Sequence, residues 1–168
     1  RHGDKLAGML NFCGSDISVW DAAAKNGLSG VNVRQRPGYA QIGFVETQTV
    51  AQGFYTNSVG SLLTPAFGAS GTLRVSFDAM AYKNTSVHAN SGAKDMGGDL
   101  KSVIVEVIGG GTIDGATKKV VSGLATDAFN TYSLKITGAT ASTQLRFTSE
   151  PASDEFSRWF IDDICVTK

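Results

Sequence analysis

The chain has 168 residues, 42% of them hydrophobic and 18% charged, a composition that excludes a disordered chain and indicates one globular domain over residues 1–168. Its 15 Lys and Arg residues balance 15 Asp and Glu residues, so it lacks the positive field that nucleic acid or an anionic membrane surface requires of a partner. No apolar run approaches the roughly 20 residues of a membrane-spanning helix.

The amino-terminal part of the chain contains one helix signal. In "SVWDAAAKNG", Ser18 stands three residues before Asp21, which is the spacing of a capping box, and Gly27 follows an alanine-rich stretch. We expect a short helix here that lies against a sheet and does not build the core. The high glycine content of the whole chain, 20 residues, favours strands and turns elsewhere.

Apolar and polar residues alternate in four later segments, which predicts β-strands because successive side chains of a strand point to opposite faces. The clearest is Thr72–Tyr82, and 100–108, 129–138 and 142–149 follow. Weaker strand signals lie at "AGMLNFC", "GYAQIGF" and "TKKVV". Between the first two strong segments, residues 83–99 are polar and rich in Gly, Ser and Asn, and we interpret them as a long surface loop.

About eight short strands separated by turn signals predict an all-β, two-sheet antiparallel sandwich. Periodicity alone leaves a jelly roll and an immunoglobulin-like topology open. The core residues that the alternation predicts are Val75, Phe77, Val105, Leu134, Ile136, Phe147 and Ile164.

The order of landmarks along the chain resembles that of a known family. "PGYAQIG", "GTLRVSFDAMAY" and "VIVEVIGGG" precede the terminal "RWFIDDICV". This order is similar to galactose-binding-like jelly rolls, in particular to carbohydrate-binding-module-like domains of secreted and surface lipoproteins of gut Bacteroidetes. The resemblance covers about residues 38–168 and implies a jelly roll. MAM domains of animal receptors end similarly, but they usually carry four cysteines where this chain has 2.

Asp162 and Asp163 lie inside the terminal strand pattern, and alternation is expected to send them to opposite faces, so they do not form a catalytic carboxylate pair. The resemblance implies that Asp162 ligates a structural calcium near a sheet edge. The family's amino-terminal glutamate ligand has no clean match, and Asp16 is the nearest acidic substitute. The alternative is that Asp162 accepts hydrogen bonds from loop amides without a metal.

Cys13 and Cys165 are the only cysteines. The terminal strands of jelly rolls often lie together, so a disulfide between them is one interpretation. We favour the other, two small buried thiols, because a free cysteine packs as a small hydrophobic residue.

Tyrosines beside polar side chains are the candidate ligand contacts, because a tyrosine ring can stack on the C–H face of a sugar while neighbouring groups bond its hydroxyls. "QRPGYAQ" and "AQGFYTN" place Tyr39 and Tyr55 in predicted turns, and Tyr82 adjoins the long loop. We predict that these three tyrosines contact a glycan. Trp159 is assigned to the core, and for the other rings plain packing remains an equal alternative.

We therefore predict a non-catalytic carbohydrate-binding domain of a secreted, periplasmic or cell-surface protein, with a glycan and neighbouring domains as partners. A structural or adhesive module that binds no glycan is the second interpretation, and a sandwich-fold glycan-degrading enzyme is the third. Apart from calcium, no cofactor is expected.

Overall fold

The computed structural model describes residues 28–36, 39–49, 54–83, 99–150 and 156–168, and for 35, 46–49 and 54–56 it describes the backbone alone. These residues form strands, turns and loops, and no α-helix. The strands are β1 (Ser29–Val31), β2 (Val33–Arg36), β3 (Tyr39–Ile42), β4 (Phe44–Thr49), β5 (Phe54–Ser58), β6 (Ser61–Leu63), β7 (Gly71–Ala81), β8 (Ser102–Ile108), β9 (Lys118–Ser122), β10 (Asn130–Ala139), β11 (Gln144–Thr148) and β12 (Trp159–Thr167).

Two five-stranded antiparallel sheets pack together and confirm the predicted β-sandwich. The first sheet has the order β1-β6-β11-β8-β9, and the second has the order β10-β7-β12-β3-β2. Strands β4 and β5 form a separate two-stranded sheet. From β6 onward, consecutive strands alternate between the two large sheets except at the β8–β9 hairpin, which is the winding of a jelly roll.

The core lies between the inward faces of the two large sheets. Phe77 of β7 is fully buried, and its ring meets Phe147 of β11 edge-on at a centroid distance of 5.2 Å and stacks on Tyr132 at 5.7 Å. All the predicted core residues are buried except Leu134, which is half-buried and packs against the cluster. Leu134 is less covered because β10 is an edge strand of its sheet. Trp159 is buried, as predicted.

A β-bulge interrupts the terminal strand β12. Asp162 pairs with Asp78 and Cys165 pairs with Ser76, so three steps along β12 match two steps along β7. Asp163, inside the bulge, has a φ of 48°, in the left-handed region that few side chains adopt. The extra residue inverts the alternation, so that Trp159 and Ile161 face the core before the bulge and Ile164 and Val166 face it afterwards.

The expectation of two buried thiols is wrong, because Cys165 is disulfide-bonded. The bulge explains why Cys165 is not a core residue: Ile164 and Val166 take the core positions, and Cys165 lies half-buried opposite Ser76. The chain's other cysteine, Cys13, lies outside the described residues.

Several predictions concern segments outside the described residues. The helix expected near Ser18, the weak strand signal "AGMLNFC" and Asp16 all precede residue 28. The interior of the predicted long loop, 84–98, also lies outside, although Asp99 at its end is buried. No helix formed by the described residues is long and apolar enough to cross a membrane.

Candidate functional site

The second sheet has one face that points away from the core, here called the outer face. Most of the aromatic and charged side chains discussed below lie on it. Its members follow from strand alternation, because their neighbours along each strand are the buried core residues. Register places Gln41 of β3 opposite Phe160 of β12, which in turn lies opposite Met80 of β7. The next row contains Asp162, Asp78 and Thr131. Residues from four strands thus share one surface.

Four aromatic rings form a cluster on this face, here called the ring cluster: Tyr39, Tyr82, Phe129 and Phe160. Tyr39 meets Phe160 edge-on at a centroid distance of 5.3 Å and Phe129 at 5.5 Å. Tyr82 lies 5.5 Å from Phe160 with an interplanar angle of 32°. Phe160 is nearly covered, whereas the other three rings are half-buried and keep part of their surface accessible.

A buried ion pair holds one end of the ring cluster in place. Arg158 donates its Nε and Nη2 hydrogens to the two carboxylate oxygens of Asp99, at 2.9 and 2.8 Å, and its backbone N–H donates to Asp99 at 3.0 Å. The guanidinium carbon lies 3.7 Å from the Tyr82 ring centroid, a cation–π geometry. A bidentate pair fixes the plane of the guanidinium group, so Arg158 provides a rigid backing for the Tyr82 ring.

An arginine and an amide lie beside Tyr39 at the other end. The side-chain carbonyl of Gln41 accepts hydrogen bonds from Arg36 Nε at 3.0 Å and Nη2 at 2.6 Å. The amide nitrogen of Gln41 donates to the backbone carbonyl of Gly43 at 2.9 Å. Gln41 is buried, with both its carbonyl oxygen and its amide nitrogen hydrogen-bonded, whereas the exposed Arg36 has further N–H groups for a ligand.

Two carboxylates lie directly opposite each other at the centre of the outer face. Asp162 of β12 pairs with Asp78 of β7, and Asp78 accepts a hydrogen bond from Thr131 at 2.5 Å. Asp162 is fully buried, while Asp78 is half-buried. Strict alternation predicts opposite faces for Asp162 and Asp163, but the bulge at these residues means that simple alternation does not apply to them.

The resemblance predicts a calcium ion at Asp162, and the described residues near it can be compared with what calcium requires. Calcium takes six to eight oxygen ligands, and the opposed carboxylates of Asp162 and Asp78 are of the required type. Within the described ranges, no three His, Cys, Asp or Glu side chains gather closely enough to hold a metal ion. Asp162 also lies in the central strand of its sheet, not near an edge as the resemblance implies. Calcium at Asp162 stays a prediction.

Two of the three predicted ligand tyrosines come together through Phe160, since Tyr39 and Tyr82 both contact its ring. Their surroundings differ from the expectation, because Tyr39 and Tyr55 lie in β3 and β5 and not in turns. The side chain of Tyr55 lies outside the described part of the structure.

Sequence reasoning missed Phe129, Arg158 and Asp99 as neighbours of the site. Phe160 carried a signal that was available: it alternates with the core residues Trp159 and Ile161, which places it on the opposite face. No sequence pattern pairs Asp99 with Arg158, because the two residues are 59 positions apart and meet only in the folded sheet.

No protein-family model matches the chain, and no curated protein matches it. Solved structures do resemble it. The C-terminal family 6 carbohydrate-binding module of a marine laminarinase from Zobellia galactanivorans is 15% identical with a TM-score of 0.47, and the match covers 86% of this chain and 95% of that one.

Two further solved structures extend the comparison. The N-terminal cellulose-binding domain of β-1,4-glucanase C from Cellulomonas fimi is 14% identical with a TM-score of 0.44, over 83% of this chain and 87% of that one. A family 28 carbohydrate-binding module specific for non-crystalline cellulose is 9% identical with a TM-score of 0.42, and the match covers 97% of this chain and 99% of that one. The chain aligns with these structures over most of its length while sharing few residues with them.

Proposed function

We propose that this chain is a non-catalytic carbohydrate-binding domain that holds a glycan on the outer face of its second sheet. The observation that carries the proposal is the ring cluster, in which Tyr39 and Tyr82 flank Phe160 and are themselves bordered by Arg36 and Arg158. Partly accessible rings beside hydrogen-bonding groups are the combination that sugar recognition needs.

The physical basis is the two-sided character of a sugar ring. Its C–H face gains by leaving water against an aromatic ring, while its hydroxyls must be given new hydrogen bonds to offset their desolvation. Arg36 and the Tyr82 hydroxyl offer such bonds at opposite ends of the cluster. Since the rings are shallow and half-buried, few ligand atoms are covered, and we expect modest affinity.

The opposed pair of Asp162 and Asp78 is the one feature that favours an enzyme, because glycoside hydrolysis uses two facing carboxyl groups. Burial argues against it. The Asp162 side chain is fully buried, so a scissile bond cannot lie between the two groups. We therefore infer that these carboxylates have a structural role and that bound glycan is left intact.

We also propose that the domain works in a secreted, periplasmic or cell-surface protein, in line with its resemblance to domains of Bacteroidetes surface lipoproteins. The disulfide bond of Cys165 supports an oxidising compartment, since cytosolic thiols are kept reduced.

The test replaces Tyr39 and Tyr82 separately by alanine and measures binding to a panel of neutral polysaccharides by calorimetry. Loss of a stacked ring is expected to weaken binding about tenfold, which corresponds to roughly 1.4 kcal/mol. Tyr132→Ala is the matched control, because that ring stacks on Phe77 on the core side. This control is expected to lower the melting temperature more than either variant and to leave the affinity of the folded protein unchanged.

Three other results would change the proposed function or the position of its site. Absence of binding across the panel would point to the structural or adhesive module. Oligosaccharide products detected by chromatography, and absent with the Asp78→Asn variant, would establish that the protein is a glycan-degrading enzyme. Equal affinity of all three tyrosine variants would show that the glycan does not bind at the ring cluster.

A further inference from the structure

A second feature of the outer face lies at the opposite end from the ring cluster. An open depression of about 330 Å³ is bounded by β7, β10 and the end of β12. Two rows of outer-face residues form it. Cys165, Ser76 and Ser133 make the row nearer the bulge, and Thr167, Arg74 and Lys135 make the row beyond it.

The two cations of the depression are direct neighbours. Arg74 and Lys135 are cross-strand partners in the β7–β10 ladder, and both side chains are exposed. Like charges in this arrangement repel and destabilise a sheet. Neither residue forms a salt bridge with any residue that the structure describes. The fold therefore places two positive charges side by side on this face.

The remaining lining is suited to an anion. None of the described residues that line the depression is acidic. Ser76, Ser133 and Thr167 contribute hydroxyl groups, and none of the three makes a side-chain hydrogen bond to another described residue. Asp114 experiences the charge of Lys135, but its carboxylate is bonded to Lys119 at 2.6 Å.

We propose that this depression, here called the cationic depression, binds an anionic substituent of an acidic glycan, either a uronate carboxylate or a sulfate ester. Both groups present oxygen acceptors to Arg and Lys in the same way, and a guanidinium group can bind either one bidentately. The inference rests on the proposed glycan-binding function and adds the substrate class.

The layout of the face gives the glycan a preferred direction. Arg74 and Tyr82 are separated by roughly 26 Å along the strand direction, at about 3.3 Å per residue, which an oligosaccharide can span. Between them lies the carboxylate pair of Asp78 and Asp162, which repels an acidic sugar placed at the centre. An acidic unit is thus favoured over the cationic depression, with the other sugar units extending toward the ring cluster.

The test compares the protein with the double variant Arg74→Gln/Lys135→Gln on three probes: alginate as a polyuronate, carrageenan as a sulfated galactan, and an uncharged β-glucan. The unaltered protein is expected to prefer one of the acidic probes, and added salt is expected to weaken that binding, since it screens charges. The double variant is expected to lose about tenfold in affinity for that probe. Lys101→Gln/Lys118→Gln, which removes two exposed positive charges at the other sheet, is the matched control and is expected to retain the preference.

Preference for alginate identifies a carboxylate and preference for carrageenan a sulfate ester, and either one supports the inference. Two results overturn the inference and leave the proposed function intact. One is an affinity for neutral glucan equal to that for both acidic probes, and the other is a preference for an acidic probe that persists in Arg74→Gln/Lys135→Gln. No binding to any probe overturns both. The melting temperatures of both double variants are measured as well. Values close to that of the unaltered protein show that the loss of charge, and not a loss of folding, causes any change in affinity.

Discussion

Asp162 shows, at the scale of one residue, how much the surroundings of a side chain determine its chemistry. Its carboxyl group is fully buried in the central strand of a sheet, with a second carboxyl group, Asp78, opposite it. Carboxylate oxygens are ligand atoms that calcium prefers, which is why the calcium prediction is best tested at this residue.

We expect free calcium to stabilise the protein, because an ion that binds only the folded state shifts the folding equilibrium. At a hundredfold excess over the dissociation constant, the gain is about 2.7 kcal/mol. For a domain of this size, this gain corresponds to a rise of roughly 5–10 °C in melting temperature relative to chelator. Asp162→Asn, which keeps the side-chain volume, is expected to abolish the difference. Elemental analysis of the purified protein provides a readout that does not depend on the variant's folding. Coincident melts together with an ion-free protein would show that no calcium site exists.

At the scale of an element, the bulge in β12 determines which face each later side chain occupies. It moves Ile164 and Val166 into the core and leaves Cys165 half-buried beside the cationic depression. It does so by holding Asp163 at a φ of 48°. Asp and Asn tolerate this conformation better than other non-glycine residues, because their short polar side chains can bond locally. The second aspartate of the motif thus has a backbone role.

Substitutions at Asp163 test this role by comparing two residues that both lack its charge. Asp163→Asn is expected to remain close to the unaltered protein, since asparagine accepts a positive φ. Asp163→Val is expected to unfold more easily than Asp163→Asn by about 1–2 kcal/mol, because a β-branched side chain is strained in this conformation. Chemical denaturation with the disulfide intact measures the difference. Equal stability of the two variants would show that the bulge does not have a positive φ at this residue in solution.

At the scale of the whole molecule, the two sheets are held together mainly by apolar side chains between them. Phe77 lies near the centre of this layer, in contact with rings from its own sheet and from the facing sheet. Jelly-roll winding lets strands distant in sequence, such as β3, β7 and β12, lie side by side and build one outer face. The ring cluster and the cationic depression are consequences of this packing.

Replacing Phe77 by alanine is expected to lower the free energy of unfolding by roughly 3–5 kcal/mol, through lost burial and the cavity that remains. Val120→Ala serves as the comparison, because Val120 is 54% exposed and is expected to cost less than about 0.5 kcal/mol. Urea titrations followed by tryptophan fluorescence measure both. A loss below about 1 kcal/mol for Phe77→Ala would contradict the assigned core.

Local sequence patterns were sufficient to predict the class of the fold and most of its core. Strand alternation is a local property with a period of two residues, so Val75, Phe77, Val105 and Phe147 could be assigned to the core before any tertiary contact was known. The same alternation placed Asp78 away from the core, and Tyr82 could be placed beside the long loop.

The way in which these residues combine into sites depends on long-range pairing between strands. The bulge in β12 depends on pairing with β7, and strict alternation cannot anticipate it. For this reason local patterns alone could not predict the half-buried position of Cys165 or the backbone conformation of Asp163. Contacts such as Tyr39 with Phe129, Arg158 with Asp99 and Arg74 with Lys135 join residues that are distant in the chain. Their proximity is set by the order of strands in a sheet, which local sequence patterns do not encode.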